Sequence, residues 1–250
     1  MTLQNRLHAR FISRLVATPE GRAHFLNQIT DAEASGESEI FERVKKQIDD
    51  PQLAKIIDRH QADELRHEQL FRACVVRTGV TPGPVPSNLK IIDRIDRATG
   101  GFLSRPIVDQ RGIMEAYLLL QVIEERAITQ FGLFEEVFRE LDPVVANTFA
   151  EVAKDEQRHL KYCHAIVRRY APDETTRVAT LQRFRRIEAE CFRDNGRANM
   201  DYTFGRGLFS AGPVEKLFWR VAQRFAVLGQ PPVTAFYRET AAPSLVAVTA

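Results

Sequence analysis

A chain of 250 residues that is 44% hydrophobic and 27% charged carries enough apolar side chain to bury a full core, as one large domain or two small ones. Its formal net charge of +2 gives no general case for a nucleic-acid or membrane partner, and its three cysteines, Cys74, Cys163 and Cys191, form no CxxC pair, which argues against a disulfide framework or a thiolate zinc site. No apolar run reaches the length of a membrane span, and the opening stretch MTLQNRLHARFISRLV lacks the apolar core and cleavage site of a signal peptide, so the expectation is a soluble, cytoplasmic protein.

The first periodic block runs from about Glu20 to Asp50, with Leu26, Ile29, Glu33, Glu37, Ile40 and Val44 along one side. Pro51, after two aspartates, opens a second helix that runs to Gly79. A connection follows, GVTPGPVPSNLKIIDRIDRATGGFLSRP, with a short helical stretch after Ser87 and a Gly-Gly stop. The third helix runs from about Ile107 to Leu141, and the fourth from Pro143 towards Pro172. Beyond it come a helical block to about Asn195 and a final one opening at Pro213, with no strand-type alternation anywhere. The order is helix, helix, crossover, helix, helix, then additional C-terminal helices: an all-α chain.

Two of these helices share a motif. DELRH at residues 63 to 67 returns as DEQRH at 155 to 159. Glu64 and His67, and likewise Glu156 and His159, fall on one face of their helix among apolar neighbours, because residues three apart are adjacent on a helix surface. The first and third helices each place a carboxylate in the same setting, Glu33 and Glu124. Four buried carboxylates converging on one core would each cost several kcal/mol unless neutralised, and no lysine or arginine lies on these stripes. Four glutamates and two neutral histidines balance two divalent cations, and Glu on two helices with Glu-x-x-His on two others is a pattern that holds two metals in a bundle core. Asp63 and Asp155 lie four residues before the histidine of their own helix. The expected pairs are crossed, Asp63 with His159 and Asp155 with His67, each aspartate fixing a tautomer.

Other positions carry more than one reading. Glu37 shares the face of Glu33 and is either an additional ligand or a hydrogen-bonding neighbour. His60, one turn before Glu64, is first a packed core histidine and second a further ligand. Glu124 is preferred to Glu125 because its face is more apolar. Tyr117 and Tyr162 are read as packing rather than as an electron relay, and Ile128 and Phe131 as the wall of an apolar substrate pocket.

With these residues in place the chain resembles the ferritin-like dinuclear carboxylate superfamily, which includes ferritins, rubrerythrins, ribonucleotide reductase small subunits and several oxygenases. The metal motif maps onto Glu33, Glu64, His67, Glu124, Glu156 and His159, and the resemblance covers about residues 20 to 170. It implies a ferritin-like four-helix bundle as a single domain over 1–250, with a C-terminal helical extension from about 171, and two iron ions or a manganese-iron pair as cofactor. Within the superfamily, IEERAITQF, DELRH and DEQRH are similar to the tRNA hydroxylase family that acts on the isopentenyl-adenosine side chain.

The resemblance implies either an oxygenase, in which the metals activate dioxygen to hydroxylate or oxidise an organic substrate, or a ferritin-type ferroxidase with iron as substrate. About 80 residues beyond the bundle, enough to cover a pocket or build a homodimer, favour the oxygenase. The chain has no flavin or iron-sulfur motif, so electrons would come from a separate reductase.

Overall fold

Five helices begin where an Asp or Thr side chain takes up backbone N–H groups that a first turn leaves unpaired. Thr18 accepts from Gly21, Asp50 from Gln52 and Leu53, Asp109 from Gly112, Asp142 from Val144 and Val145, and Asp173 from Thr176. Proline follows three of these caps, at residues 19, 51 and 143, where its missing N–H costs nothing. The structure, a computed structural model, describes residues 3–34, 37–209 and 211–228. Among them the helices are α1 (Leu3–Val16), α2 (Pro19–Glu33), α3 (Glu37–Lys45), α4 (Pro51–Arg77), α5 (Ile91–Ala98), α6 (Gln110–Phe138), α7 (Pro143–Tyr170), α8 (Glu174–Gly205) and α9 (Pro213–Leu228), with a 3-10 turn over Ser87–Leu89. The described residues are therefore all-α, and no helix among them is long and apolar enough to cross a membrane.

Three elements depart from the sequence reading. The block expected from Glu20 to Asp50 is two helices, α2 ending at Glu33 and α3 starting at Glu37. Ser35 and Gly36 between them are weak helix formers, glycine by about 1 kcal/mol relative to alanine. The opening stretch, which the sequence reading tests only against the features of a leader, is α1, and it buries Phe11, Ile12, Leu15 and Val16. Finally, α8 continues ten residues past Asn195 through Gly196, because burial of Met200, Thr203 and Phe204 outweighs one glycine's penalty.

The connection closes on Gly100 and Gly101, both at positive φ (75° and 74°), where the absence of a Cβ allows the reversal. Asp96 locks it by accepting from the Leu103 N–H at 2.6 Å.

α2 packs along α4 and α6 along α7, α4 and α7 meet each other, and α3 closes over α4 and α6. α8 lies across α5 and α6, and α1 across α2 and α6. The long helices pass through the core in three layers. On α4, Leu53, Ile56 and Ile57 enter one apolar cluster and Phe71, Cys74 and Val75 another, with His60, Glu64 and His67 between. On α7, Phe149 and Val152 belong to the second cluster and Tyr162, Cys163 and Ile166 to the first, with Glu156 and His159 between. α6 runs from Ile113 and Leu120 through Glu124 to Phe131 and Phe138 in the same way. A polar layer is thus sealed between two apolar ones.

Candidate metal centre

All six sequence-assigned residues lie in that layer. Their side chains fall into two groups, His60, Glu64, Glu124 and His159 in one and Glu33, Glu64, His67 and Glu156 in the other, each with one donor atom per residue within 4.8 Å of the rest. Glu64 belongs to both. Its Oε1 is 3.0 Å from His159 Nδ1 and its Oε2 3.7 Å from His67 Nδ1. Glu156 spans the same two rings, Oε2 to His159 Nδ1 at 2.8 Å and Oε1 to His67 Nδ1 at 3.2 Å. Glu33 approaches His67 Nδ1 to 3.5 Å and Glu124 approaches His159 Nδ1 to 3.6 Å. Each imidazole nitrogen therefore faces three carboxylates, two of them shared.

The far side of each ring is held by an aspartate. His67 Nε2 lies 3.3 Å from Asp155 and His159 Nε2 3.3 Å from Asp63, the crossed pairing. A carboxylate can only accept, so each Nε2 carries a proton, which leaves Nδ1 as the ring nitrogen that could ligate a cation on the glutamate side. The repeated arginines, given no role from sequence, anchor these aspartates: Arg158 donates to Asp63 at 2.7 Å and pairs with Asp155 at 2.6 Å, and Arg66 pairs with Asp155. With Arg158 and His159 as donors, Asp63 is held well below the usual carboxylate range despite its burial. The signal for both arginines is present in the motif, since they recur at the same offset.

Near-contact of lone pairs with anionic oxygens tests whether the residues fit a cation. Glu64 Oε1 and His67 Nδ1, both facing the cluster, are buried without a hydrogen-bond partner, an arrangement that is costly unless something shares their lone pairs. Donors about 2.1 Å from one ion lie roughly 3.0–3.4 Å from each other, and the spacings here, 2.8–3.7 Å, bracket that range. The donor set fits a metal ion held among these side chains.

Without metal, protons take that role. Burial pushes Glu33 up to about 8 and Glu156 up to about 7, and it raises Glu124 as well. Burial acts on Glu64 in the same direction, but the facing imidazoles of His159, His60 and His67 outweigh it and hold that carboxyl well below its usual range. His67 and His159 are held above the ordinary imidazole value by the facing carboxylates, against the effect of burial.

The structure brings His60 to the site as well. Its Nε2 is 3.1 Å from Glu124 and 3.3 Å from Glu64, and its ring stacks on His159 at 3.8 Å. Burial, with the neighbouring His159 charge, lowers it to about 4, so it presents as a neutral imidazole. The side chain of Glu37 lies outside the described residues. Glu125 points away from both groups and pairs with Arg185 at 2.6 Å. Tyr117 and Tyr162 are buried in the apolar layer, Tyr162 with its ring 6.4 Å from His159.

A cavity of about 190 Å³ reaches Glu33, Glu64, Glu124 and Glu156. Its apolar wall includes Ile29, Ile92, Ile95, Ala127, Phe131 and Phe134. Phe131 is thus where it was expected, but Ile128 is half-buried and outside the wall. α6 lines the cavity along the row 123, 127, 130, 131 and 134, turned towards α5 and α8. Stepping by four from Glu124 to 128 overshoots the 3.6-residue turn and leaves that row.

Comparison of the chain with protein-family models, with curated proteins and with solved structures found no match.

Proposed function

We propose that the chain is a dinuclear-metal oxidoreductase of the ferritin-like class, holding two iron ions, or a manganese-iron pair, and oxidising a small organic substrate with dioxygen. The ligands would be Glu33, Glu64, His67, Glu124, Glu156 and His159, with Glu64 shared by both groups and His60 as an addition to one. The observation that carries the oxygenase reading is the mainly apolar cavity that reaches all four glutamates. A site built to move iron ions would be expected to approach them through acidic side chains, whereas isoleucine, alanine and phenylalanine suit an organic molecule.

The bound metal pair would supply the redox chemistry that activates dioxygen. The chain's own residues do the rest. Asp63 and Asp155 orient the two imidazoles through their Nε2 protons, Arg66 and Arg158 keep those aspartates ionised, and the apolar layers exclude water on both sides. For a hydroxylation, one C–H bond becomes C–OH and the second oxygen atom leaves as water. Two electrons and two protons are needed from an external reductant, consistent with a chain that has no redox motif of its own.

The test is metal analysis under anaerobic conditions, followed by oxygen uptake with and without organic substrates. The oxygenase expectation is two metals per chain, a small assembly and uptake that depends on the organic substrate. Hundreds of irons retained per assembly, with uptake driven by ferrous ion alone, would establish the ferroxidase instead.

A further inference from the structure

We infer that the cavity is a two-ended site that selects an uncharged molecule: a short branched or cyclic hydrocarbon group lies against the glutamates, and a hydrogen-bond-donating head, a carboxamide or hydroxyl, lies at the other end. The inference rests on reading the glutamate cluster as an oxidation centre, and adds which molecules reach it.

The hydrocarbon end is assigned to Ile92, Ile95, Ile123 and Ala127, which line the same cavity as Glu124. The other end is built differently. Gln130 lies six residues beyond Glu124 on α6, about 9 Å along the helix axis. It is 9% exposed, and its Oε1 has no hydrogen-bond partner. Asn195 of α8 also lines the cavity, with a buried Oδ1 in the same condition. Two buried amide oxygens without donors are the complement of an N–H or O–H group.

The charged pair on the cavity wall is already balanced. Arg126 makes a two-pronged pair with Glu188 at 2.8 and 2.9 Å, and its guanidinium also covers the Phe192 ring at 4.2 Å. Glu188 is 2% exposed, so a substrate carboxylate would meet a buried anion whose partner is committed. An ammonium group would meet Arg126 in the same way. Size follows from volume: an apolar cavity of about 150 Å³ holds benzene, so this one takes a group of about eight non-hydrogen atoms.

The probes are 4-methylpentanamide, which has that size, and two analogues of the same skeleton, 4-methylpentanoate and 4-methylpentylamine. Their binding to the full-length protein, as purified and after chelation, is measured by calorimetry and by the side-chain amide NMR signals. The amide is expected to bind at least about tenfold more tightly than either charged analogue, a gap of about 1.4 kcal/mol, and to shift the Gln130 amide signal. Gln130→Leu should erase the preference while leaving the helical circular dichroism intact. Equal affinities, preference for a charged analogue, no binding at all, or an amide complex that leaves the Gln130 signal unmoved would each overturn the inference. The wild-type ranking and signal decide the matter even if the variant does not fold. Metal content is read separately: amide binding by a chain that takes up no metal removes the oxidation reading alone, and two bound metals without amide binding remove the cavity inference alone.

Discussion

Replacing Asp155 by asparagine tests the outer support of the centre without touching a ligand. Asp155 accepts from His67 Nε2 at 3.3 Å and is ion-paired with Arg158 at 2.6 Å. The asparagine would keep the shape and an acceptor oxygen but lose the charge. A hydrogen bond to a charged group contributes about 1.5–3 kcal/mol and a neutral one about 0.5–1.5, so the change should cost metal binding about 1–1.5 kcal/mol, on the order of tenfold in affinity. The arginines are not stranded, because Arg66 keeps Glu151 at 2.6 Å and Arg158 keeps Asp63 at 2.7 Å. The loss should therefore appear in metal affinity rather than in folding. Competition with a chromophoric chelator under anaerobic conditions measures it, with Glu151→Gln as control, since that exposed pair contributes about 0–1 kcal/mol. If Asp155→Asn, Glu151→Gln and the unaltered protein hold metal equally, the aspartate does not tune His67 and the crossed pairing has no part in metal affinity.

Glu64 is common to both groups, so Glu64→Ala should reduce both metals, whereas His60→Ala should weaken one; elemental analysis showing full occupancy in Glu64→Ala would refute the shared role. Metal uptake should release protons and tighten as pH rises from about 6 to 8, because Glu33 near 8 and Glu156 near 7 must ionise to bind; an unbuffered titration with no proton release would contradict this. Ala127→Phe, on the cavity wall, should leave two metals bound and abolish turnover, while Ile128→Trp, off the wall, should spare turnover; the opposite ranking would misplace the substrate. Burial holds His24 down to about 4, below its unfolded value of 6.5, so its contribution is fully present above pH 6.5 and is lost as pH falls towards 4. His24→Gln should flatten that decline, on the order of 1 kcal/mol after allowance for solvent, in denaturant titrations at pH 7 and 5; an identical decline in the variant would exclude His24 as its source.

Much of the centre is legible in the sequence because its signal is periodic. A glutamate or histidine at the middle of an apolar stripe conflicts with burial, and the conflict recurs on four segments at matching positions. The crossed aspartates are legible for the same reason. What stays hidden depends on angles rather than spacing. His60 on an apolar stripe looks like any packed histidine until the stacked ring of His159 and the oxygens of Glu64 and Glu124 are seen beside it. Ile128 is misplaced by spacing because a step of four drifts off a row that α5 and α8 define from outside the bundle. The α2–α3 boundary escapes a periodic reading because the apolar stripe continues in phase from Leu26 to Val44, and periodicity alone does not register that α2 ends at Glu33 and α3 starts at Glu37.

The two hairpins repeat, but the centre they build is not symmetric. Asp63 and Asp155 are 92 positions apart, and the position equivalent to His60 in the second copy is Val152, fully buried in the phenylalanine-rich layer. One group therefore offers two imidazoles and two carboxylates, the other one imidazole and three carboxylates. Nitrogen-rich sites favour the later divalent metals of the first row, and oxygen-rich sites suit manganese and other hard ions. The same asymmetry reaches the backbone. Glu33 ends α2 at an interrupted segment, whereas Glu124 lies inside a continuous helix of 29 residues. Glu33 also lines the cavity, with Glu64, Glu124 and Glu156. A repeated motif supplies two similar donor groups; the single extra histidine is what makes them different.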